Sequence, residues 1–259
     1  MPEHAPMLHF QDSFELKNAY TGVPKPGEPM PLEQQIHLIH GYYACVSYID
    51  AQIGKVLDTL QETGKDKNTI IVLWADHGFH LGDHGMWCKH TNYEQATRIP
   101  LMIAGPPGML PVNSTHAPVD LTDLYPTLCE LAGLPKPETY DGTSLVPLLH
   151  DPMADVKPAA RSQYPRQKTE FGDVMGYAFR DRRYRYVQWR QMDAQGNLGR
   201  GPVVARELYD YQTDPLETVN LIDHPASRQV VERFEAMVTA DNTGLNKAVF
   251  TRQPVSIKP

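Results

Sequence analysis

The sequence has few cysteines and no long hydrophobic run, and each shortage excludes a class of protein. Its 259 residues include three cysteines, Cys45, Cys88 and Cys129, and no CxxC pair. This argues against a zinc ribbon and against a dense disulfide scaffold. The longest strongly apolar run, residues 69–75, is too short to cross a bilayer. No basic start is followed by an apolar stretch, so no signal peptide is predicted.

Positive charge is scarce as well. The chain carries 24 Lys and Arg against 31 Asp and Glu, a net charge of −7. A polyanion would be repelled, so we expect no binding to nucleic acid. Hydrophobic residues make up 41% and charged residues 21%, a composition typical of a globular protein with one large domain or one domain plus a small one.

Hydrophobic periodicity predicts helices alternating with short strands in the first part of the chain. Apolar residues at three- and four-residue steps predict a long helix over residues 32–63. The β-branched run over residues 69–75 is typical of a strand buried on both faces of a parallel sheet. A second strand is predicted over residues 101–104, and a helix over residues 124–132.

The pattern changes after about residue 160. Residues 175–180 and 183–189 predict two strands joined by a tight turn, residues 207–210 a third extended piece, and residues 226–240 a final helix. This arrangement indicates a small antiparallel α+β subdomain attached to the α/β part.

The α/β part offers too few strands to be complete. We expect residues 1–160 to form part of an α/β catalytic domain and residues 161–259 to form the small subdomain. Only two strands are convincing before residue 160, and an all-parallel sheet of two strands is not stable. Either further strands escape detection or the rest of the sheet lies outside this chain.

The stretch from residue 76 to residue 90 is the richest in chemistry, with four histidines, two aspartates and a lysine. It follows the carboxyl end of a predicted strand, where ligands bind in open α/β sheets. Asp76 and His77 could ligate a divalent cation if the chain turns there and further ligands come from elsewhere. The alternatives are an ordinary hydrogen-bonded turn and a zinc site through His77, His80 and His84, although no HExxH pattern is present.

The basic residues in and near this stretch could have a functional or a structural role. Lys89 could reach an anionic substrate group as a point charge, or it could be a solvated surface lysine. Arg98 is expected to pair with Glu94 one helical turn earlier. The basic and aromatic residues 180–190 could contact nucleic acid or a sulfated glycan, but a two-faced structural hairpin is favoured.

Several segments, in order and spacing, resemble the sulfatase family, and within it the iduronate-2-sulfatases and their bacterial relatives. The segments are residues 41–54, 68–78, 81–89, 96–101, 119–128, 131–135, 141–145 and 207–220. The resemblance runs from about residue 30 to the end of the chain.

The resemblance implies a fold, a reaction and a set of site residues. The fold would be an alkaline-phosphatase-like α/β sandwich with a smaller C-terminal subdomain. The reaction would be the hydrolysis of sulfate esters, such as those of sulfated glycans, by a formylglycine with the help of a calcium ion. Asp76 and His77 would be two of the calcium ligands, and Lys89 would contact the sulfate. Trp87, His90 and the hairpin over residues 183–189 are candidates for substrate contact.

The departures from the family pattern are equally informative. No cysteine or serine here fits the C/S-x-P-x-R signature from which formylglycine is made, and the adjacent aspartate pair of the family is absent. We therefore expect a C-terminal portion of a sulfatase that is inactive alone, with the nucleophile in a missing N-terminal half. The alternatives are a non-catalytic remnant or binding module and a phosphoesterase of the same superfamily. The sequence names no compartment, and the resemblance favours the periplasm or the exterior.

Overall fold

The computed structural model describes residues 1–9, 13–135 and 140–245. The helices are α1 (Phe14–Ala19), α2 (Leu32–Glu62), α3 (Glu94–Thr97), α4 (Leu124–Leu131), α5 (Val146–His150) and α6 (Arg228–Leu245). The strands are β1 (Ile71–Trp74), β2 (His80–Leu81), β3 (Trp87–Cys88), β4 (Leu101–Ala104), β5 (Ala160–Thr169), β6 (Gly172–Arg180), β7 (Tyr184–Gln191) and β8 (Val203–Asp210).

The long helix α2 leaves much of its apolar side uncovered. Its bounds confirm the predicted helix, and Gly64 follows its end in the left-handed conformation, with φ 67°. Within the described residues no side chain of α2 is buried. Ile36, Val46 and Val56 are 59%, 47% and 68% exposed. Because an amphipathic helix normally buries its apolar face, the described residues do not supply the whole surface on which α2 would pack.

The predicted strand over residues 69–75 is present, but its pairing differs from the prediction. β1 pairs antiparallel with β4, with Ile71 opposite Ala104 and Trp74 opposite Leu101. The expectation of a parallel neighbour is therefore wrong for the described residues, where β1 and β4 form a two-stranded sheet. Trp74 is exposed, and the other three side chains of β1 are half-buried. A run this apolar is typical of a strand covered on both faces, and the described residues cover these faces only in part.

The C-terminal part is an antiparallel sheet packed against one helix, as predicted. The strand order is β5-β6-β7-β8. The tight turn between β6 and β7 is held by Asp181, whose carboxylate accepts hydrogen bonds from the backbone N–H groups of Arg183 and Tyr184, at 2.7 and 2.6 Å. Phe234 and Val238 of α6 pack on the face of this sheet and are almost fully buried. This burial fixes the helix on the sheet.

Polar contacts join the two parts of the molecule. The carboxylate of Glu94 accepts a hydrogen bond from Arg180 Nε at 3.0 Å, and the Glu94 backbone N–H donates to Glu217 Oε2 at 3.2 Å. The predicted pair of Glu94 with Arg98 is also present, but at 3.9 Å and with Arg98 largely exposed.

The division of the chain at residue 160 remains our proposal. No helix of the described residues has the length and hydropathy of a membrane span.

Candidate functional site

The turn after β1 brings Asp76 and His77 together. His77 donates its backbone N–H to Asp76 Oδ1 at 3.0 Å, and its ring Nδ1–H donates to the carbonyl oxygen of Gly78 at 2.8 Å. The other ring nitrogen, Nε2, lies 3.5 Å from Asp76 Oδ2. The carboxylate and the imidazole are therefore adjacent, with the Asp76 side chain 84% exposed and Nε2 of His77 unprotonated when Nδ1 donates.

Gly78 fixes the direction of this turn. Its N–H donates to the carbonyl oxygen of Ala96 at 2.8 Å. A Cβ at Gly78 would lie 2.0 Å from the carbonyl oxygen of Gln95. Only a residue without a side chain allows the segment around α3 to approach this closely.

His80 and His84 are held by other partners. The buried ring of His80 binds the carboxylate of Asp83 on one side and Thr91 Oγ1, at 2.7 Å, on the other. Burial alone would raise the pKa of Asp83, but hydrogen bonds from His80 and from the backbone lower it below its usual value. The His84 ring stacks on Tyr93, with 4.6 Å between the ring centroids. Since no group of three or more potential metal ligands occurs among the described residues, they do not support the zinc alternative.

Lys89 is paired with a residue from the start of the chain. It follows β3, and its Nζ donates to Glu15 Oε1 of α1 at 2.8 Å. This hydrogen bond raises the pKa of Lys89. Lys89 is thus a half-buried, ion-paired cation and not a freely solvated one.

His90 belongs to the same cluster. Its Nε2 lies 3.4 Å from Glu15 Oε2, and its ring stacks on Tyr164 of β5 with 5.4 Å between centroids. Burial lowers the pKa of His90, against the opposing effect of the Glu15 carboxylate. Arg166 completes the cluster by donating from Nη2 to the His90 carbonyl oxygen at 2.5 Å.

One large cavity of about 2040 Å³ brings four of the predicted site residues to a common surface. Asp76, His77, Lys89 and His90 all line it, together with strands β5 and β6 and the loop of residues 105–122. The structure does not bring Trp87 there, since it is 5% exposed and packs in a core cluster with Leu16 and Cys88.

The hairpin over residues 183–189 contributes mainly to the core. Arg185 is 1% exposed, its Nε donates to Glu217, and its guanidinium lies 4.9 Å from the Tyr93 ring centroid. Trp189 is fully buried and donates its indole N–H to Glu207 at 2.6 Å. Arg185 and Trp189 therefore have the structural role that the sequence favours for this hairpin. Their burial gives no support for a role in binding nucleic acid or glycans.

Sequence reasoning missed three members of the site: Glu15, Tyr164 and Arg166. They come from α1 and β5, more than 70 residues away in sequence from Lys89 and His90. No local pattern marks them, because their role arises only when the chain folds.

Comparison with known proteins places the chain in a family. A model of the sulfatase family matches residues 4–134, and a model of the C-terminal part of N-sulphoglucosamine sulphohydrolase matches residues 82–243. The chain belongs to the sulfatase family. It is 32% identical over 222 residues to a sulfatase of Formosa agariphila, in a match that covers 85% of this chain and 40% of the relative. It is also 32% identical over 252 residues to the iduronate 2-sulfatase of Mus musculus, covering 76% and 46%.

Solved structures of sulfatases and of a related hydrolase share the fold. A 2-O GAG sulfatase superposes with a TM-score of 0.66 at 29% identity, covering 84% of this chain and 45% of that one. A phosphonate monoester hydrolase from Silicibacter pomeroyi superposes with a TM-score of 0.69 at 28% identity, covering 84% and 43%. The predicted alkaline-phosphatase-like α/β fold with a small antiparallel subdomain is confirmed. The chain spans less than half the length of these proteins.

Proposed function

We propose that this sulfatase-family chain forms part of the active site of a sulfate-ester hydrolase. The observation that carries the proposal is the placement of Asp76, His77 and Lys89 on one cavity. A carboxylate and an imidazole that converge can hold a cation, and a lysine on the same surface can hold an anion. A sulfate ester needs both, because negative charge must be stabilised on its oxygens as the ester bond breaks.

The geometry of Asp76 and His77 suits two neighbouring ligands of a divalent cation such as calcium. Asp76 and His77 would hold the cation together only if their ligand atoms lie close to each other, since Ca²⁺ bonds to its oxygen ligands at about 2.3–2.6 Å. The distance between Asp76 Oδ2 and His77 Nε2 is 3.5 Å. His77 is held through Nδ1, which fixes its ring and would leave Nε2 as the atom that ligates a cation. When bound, the cation would polarise the sulfate oxygens as a Lewis acid.

Lys89 and His90 would contact the sulfo group in the same cavity. Glu15 takes one N–H of the Lys89 ammonium group, and an ammonium has three. The hydrogen bonds among the described residues therefore leave two donors for sulfate oxygens in the cavity. His90 is fixed by its stacking on Tyr164, so its ring can contact a substrate without reorganising.

The site is completed by residues that this sequence does not contain. No C/S-x-P-x-R signature is present, and a formylglycine nucleophile with further calcium ligands would come from the N-terminal half of the sulfatase fold. The exposed apolar side chains of α2 and β1 provide a surface on which such a half can pack. Relatives named iduronate 2-sulfatase and 2-O GAG sulfatase favour a sulfated carbohydrate as substrate.

The test uses a completed protein, in which the chain is joined to the N-terminal half of a related sulfatase. We expect it to hydrolyse a chromogenic aryl sulfate and to bind Ca²⁺. Asp76→Asn should weaken Ca²⁺ binding at least tenfold in calorimetry, whereas Asp223→Asn at an exposed position before α6 should not change it. Unchanged Ca²⁺ affinity in Asp76→Asn would remove Asp76 from the site.

A second candidate function is the hydrolysis of a phosphonate or phosphate monoester. The superposition on a phosphonate monoester hydrolase favours it. Turnover of a phosphonate ester but not of an aryl sulfate by the completed protein would support this candidate. Turnover of neither would support a non-catalytic role.

A further inference from the structure

Glu15 lies outside the cavity lining and contacts the two lining residues, Lys89 and His90, that would bind the anion. The cavity lining formed by the described residues includes Lys89 and His90 but not Glu15. From α1, one carboxylate oxygen accepts from Lys89 Nζ at 2.8 Å, and the other lies 3.4 Å from His90 Nε2. A single carboxylate therefore joins both residues that face the proposed sulfo group.

The charge of this carboxylate is poorly screened by solvent. The Glu15 side chain is 23% exposed, and its Oε2 atom is buried with no hydrogen-bond donor among the described residues. A charge in such a position acts more strongly on its neighbours than one in water, because the local dielectric constant is lower.

Among the charges around the cluster, Glu15 is the carboxylate in direct contact with both Lys89 and His90. Lys89 and Arg166 are cationic, and the Arg166 guanidinium lies 5.0 Å from the centre of the Tyr164 ring on which His90 stacks. His77 also contributes to the electrostatic environment of His90. Glu15 thus offsets the charge of Lys89, whereas Arg166 has the Glu207 carboxylate in its own electrostatic environment.

We propose that Glu15 is a specificity-determining residue that disfavours doubly charged anions at Lys89 and His90. A sulfate ester carries one negative charge, whereas a phosphate monoester carries close to two above pH 7. Repulsion from a fixed carboxylate scales with the charge of the anion, so the phosphate ester is penalised about twice as much in free energy as the sulfate ester. This inference rests on the proposed function of the same cavity and adds the means by which it distinguishes the two ester classes.

The test compares methyl sulfate with methyl phosphate at pH 8, two ligands of similar shape and different charge. Binding is followed by NMR through the Lys89 ammonium and His90 ring signals of the isotope-labelled chain. Glu15→Gln keeps an oxygen that can accept from Lys89 but removes the charge. We expect affinity to rise roughly threefold for methyl sulfate and roughly tenfold for methyl phosphate, because the logarithm of the gain doubles with the charge.

Controls separate this effect from a general change in charge or fold. Glu232→Gln removes an exposed, ion-paired carboxylate of α6 and should leave both affinities unchanged. Glu15→Ala removes the same charge with a different shape and should show the same larger gain for methyl phosphate.

Two results overturn the proposal and distinguish its causes of failure. If both esters bind but Glu15→Gln changes their affinities by equal factors, or not at all, the role of Glu15 is wrong and the anion site stands. If neither ester perturbs Lys89 or His90 in the wild type or in the variants, the anion site itself is wrong, and the proposed function loses its support together with the role of Glu15.

Discussion

At the scale of single residues, the site depends on one close backbone approach. Gly78 lets the segment around α3 pack against the turn that carries Asp76 and His77, and a Cβ there would overlap the Gln95 carbonyl group. The sequence marks this glycine only as a residue that permits turning. A side chain is excluded at Gly78 by the backbone of Gln95, which lies almost twenty residues later in the sequence.

This contact predicts opposite effects for two glycine substitutions. Gly78→Ala should lower the free energy of unfolding by about 2 kcal/mol, because the overlap forces the backbone to shift. Gly54 lies inside α2, where a Cβ would meet no described atom within 4 Å. Gly54→Ala should therefore raise stability by about 0.5–1 kcal/mol through helix propensity. Urea denaturation measures both, and equal effects would contradict the packing described for Gly78.

At the scale of elements, helices and strands with a strong hydrophobic pattern are predictable from the sequence, whereas a strand with a weak pattern is not. The apolar steps of α2 and the compact run of β4 were predicted almost to the residue. β5 was missed because its residues are largely polar and include Pro165. A proline is tolerated there because β5 is the edge strand of its sheet. Its structure comes from pairing with β6, which no local pattern reveals.

Helices α6 and α2 differ in burial, and this difference predicts where a substitution destabilises the isolated chain. Phe234 of α6 is fully buried, whereas Val56 of α2 is 68% exposed. Phe234→Ala should cost about 3–5 kcal/mol of unfolding free energy, and Val56→Gln should change it by less than about 0.5 kcal/mol. Chemical denaturation followed by circular dichroism makes the comparison. A large loss in Val56→Gln would mean that α2 is covered in the isolated chain.

At the scale of the whole molecule, family membership and the cavity explain different things. The similarity to solved sulfatase structures accounts for the fold, and the cavity shows which side chains share a surface. The placement of Asp76 and His77 after a strand was predictable from the sequence, because strand ends carry ligand sites in α/β folds. The contribution of Glu15 was not, because it requires the start of the chain to fold back onto β3.

Because the formylglycine signature is missing, we predict that the chain alone has no sulfatase activity. The purified chain should not hydrolyse a chromogenic aryl sulfate, since its sequence contains no C/S-x-P-x-R signature. Continuous absorbance measurement at high protein concentration tests this expectation, with the completed protein as the positive control. Turnover by the isolated chain would mean that another residue serves as nucleophile.

The proposed site requires the Asp76–His77 pair and Lys89 to act on one sulfo group. The most direct measurement is kcat/KM for an aryl sulfate in four forms of the completed protein: wild type, Asp76→Asn, Lys89→Ala and the double variant. Residues that stabilise one transition state are strongly non-additive, so we expect each single variant to lose about 100-fold and the double variant to lose far less than the product of these losses. Losses that multiply fully would show that the two groups act independently and would contradict a shared sulfo-group site.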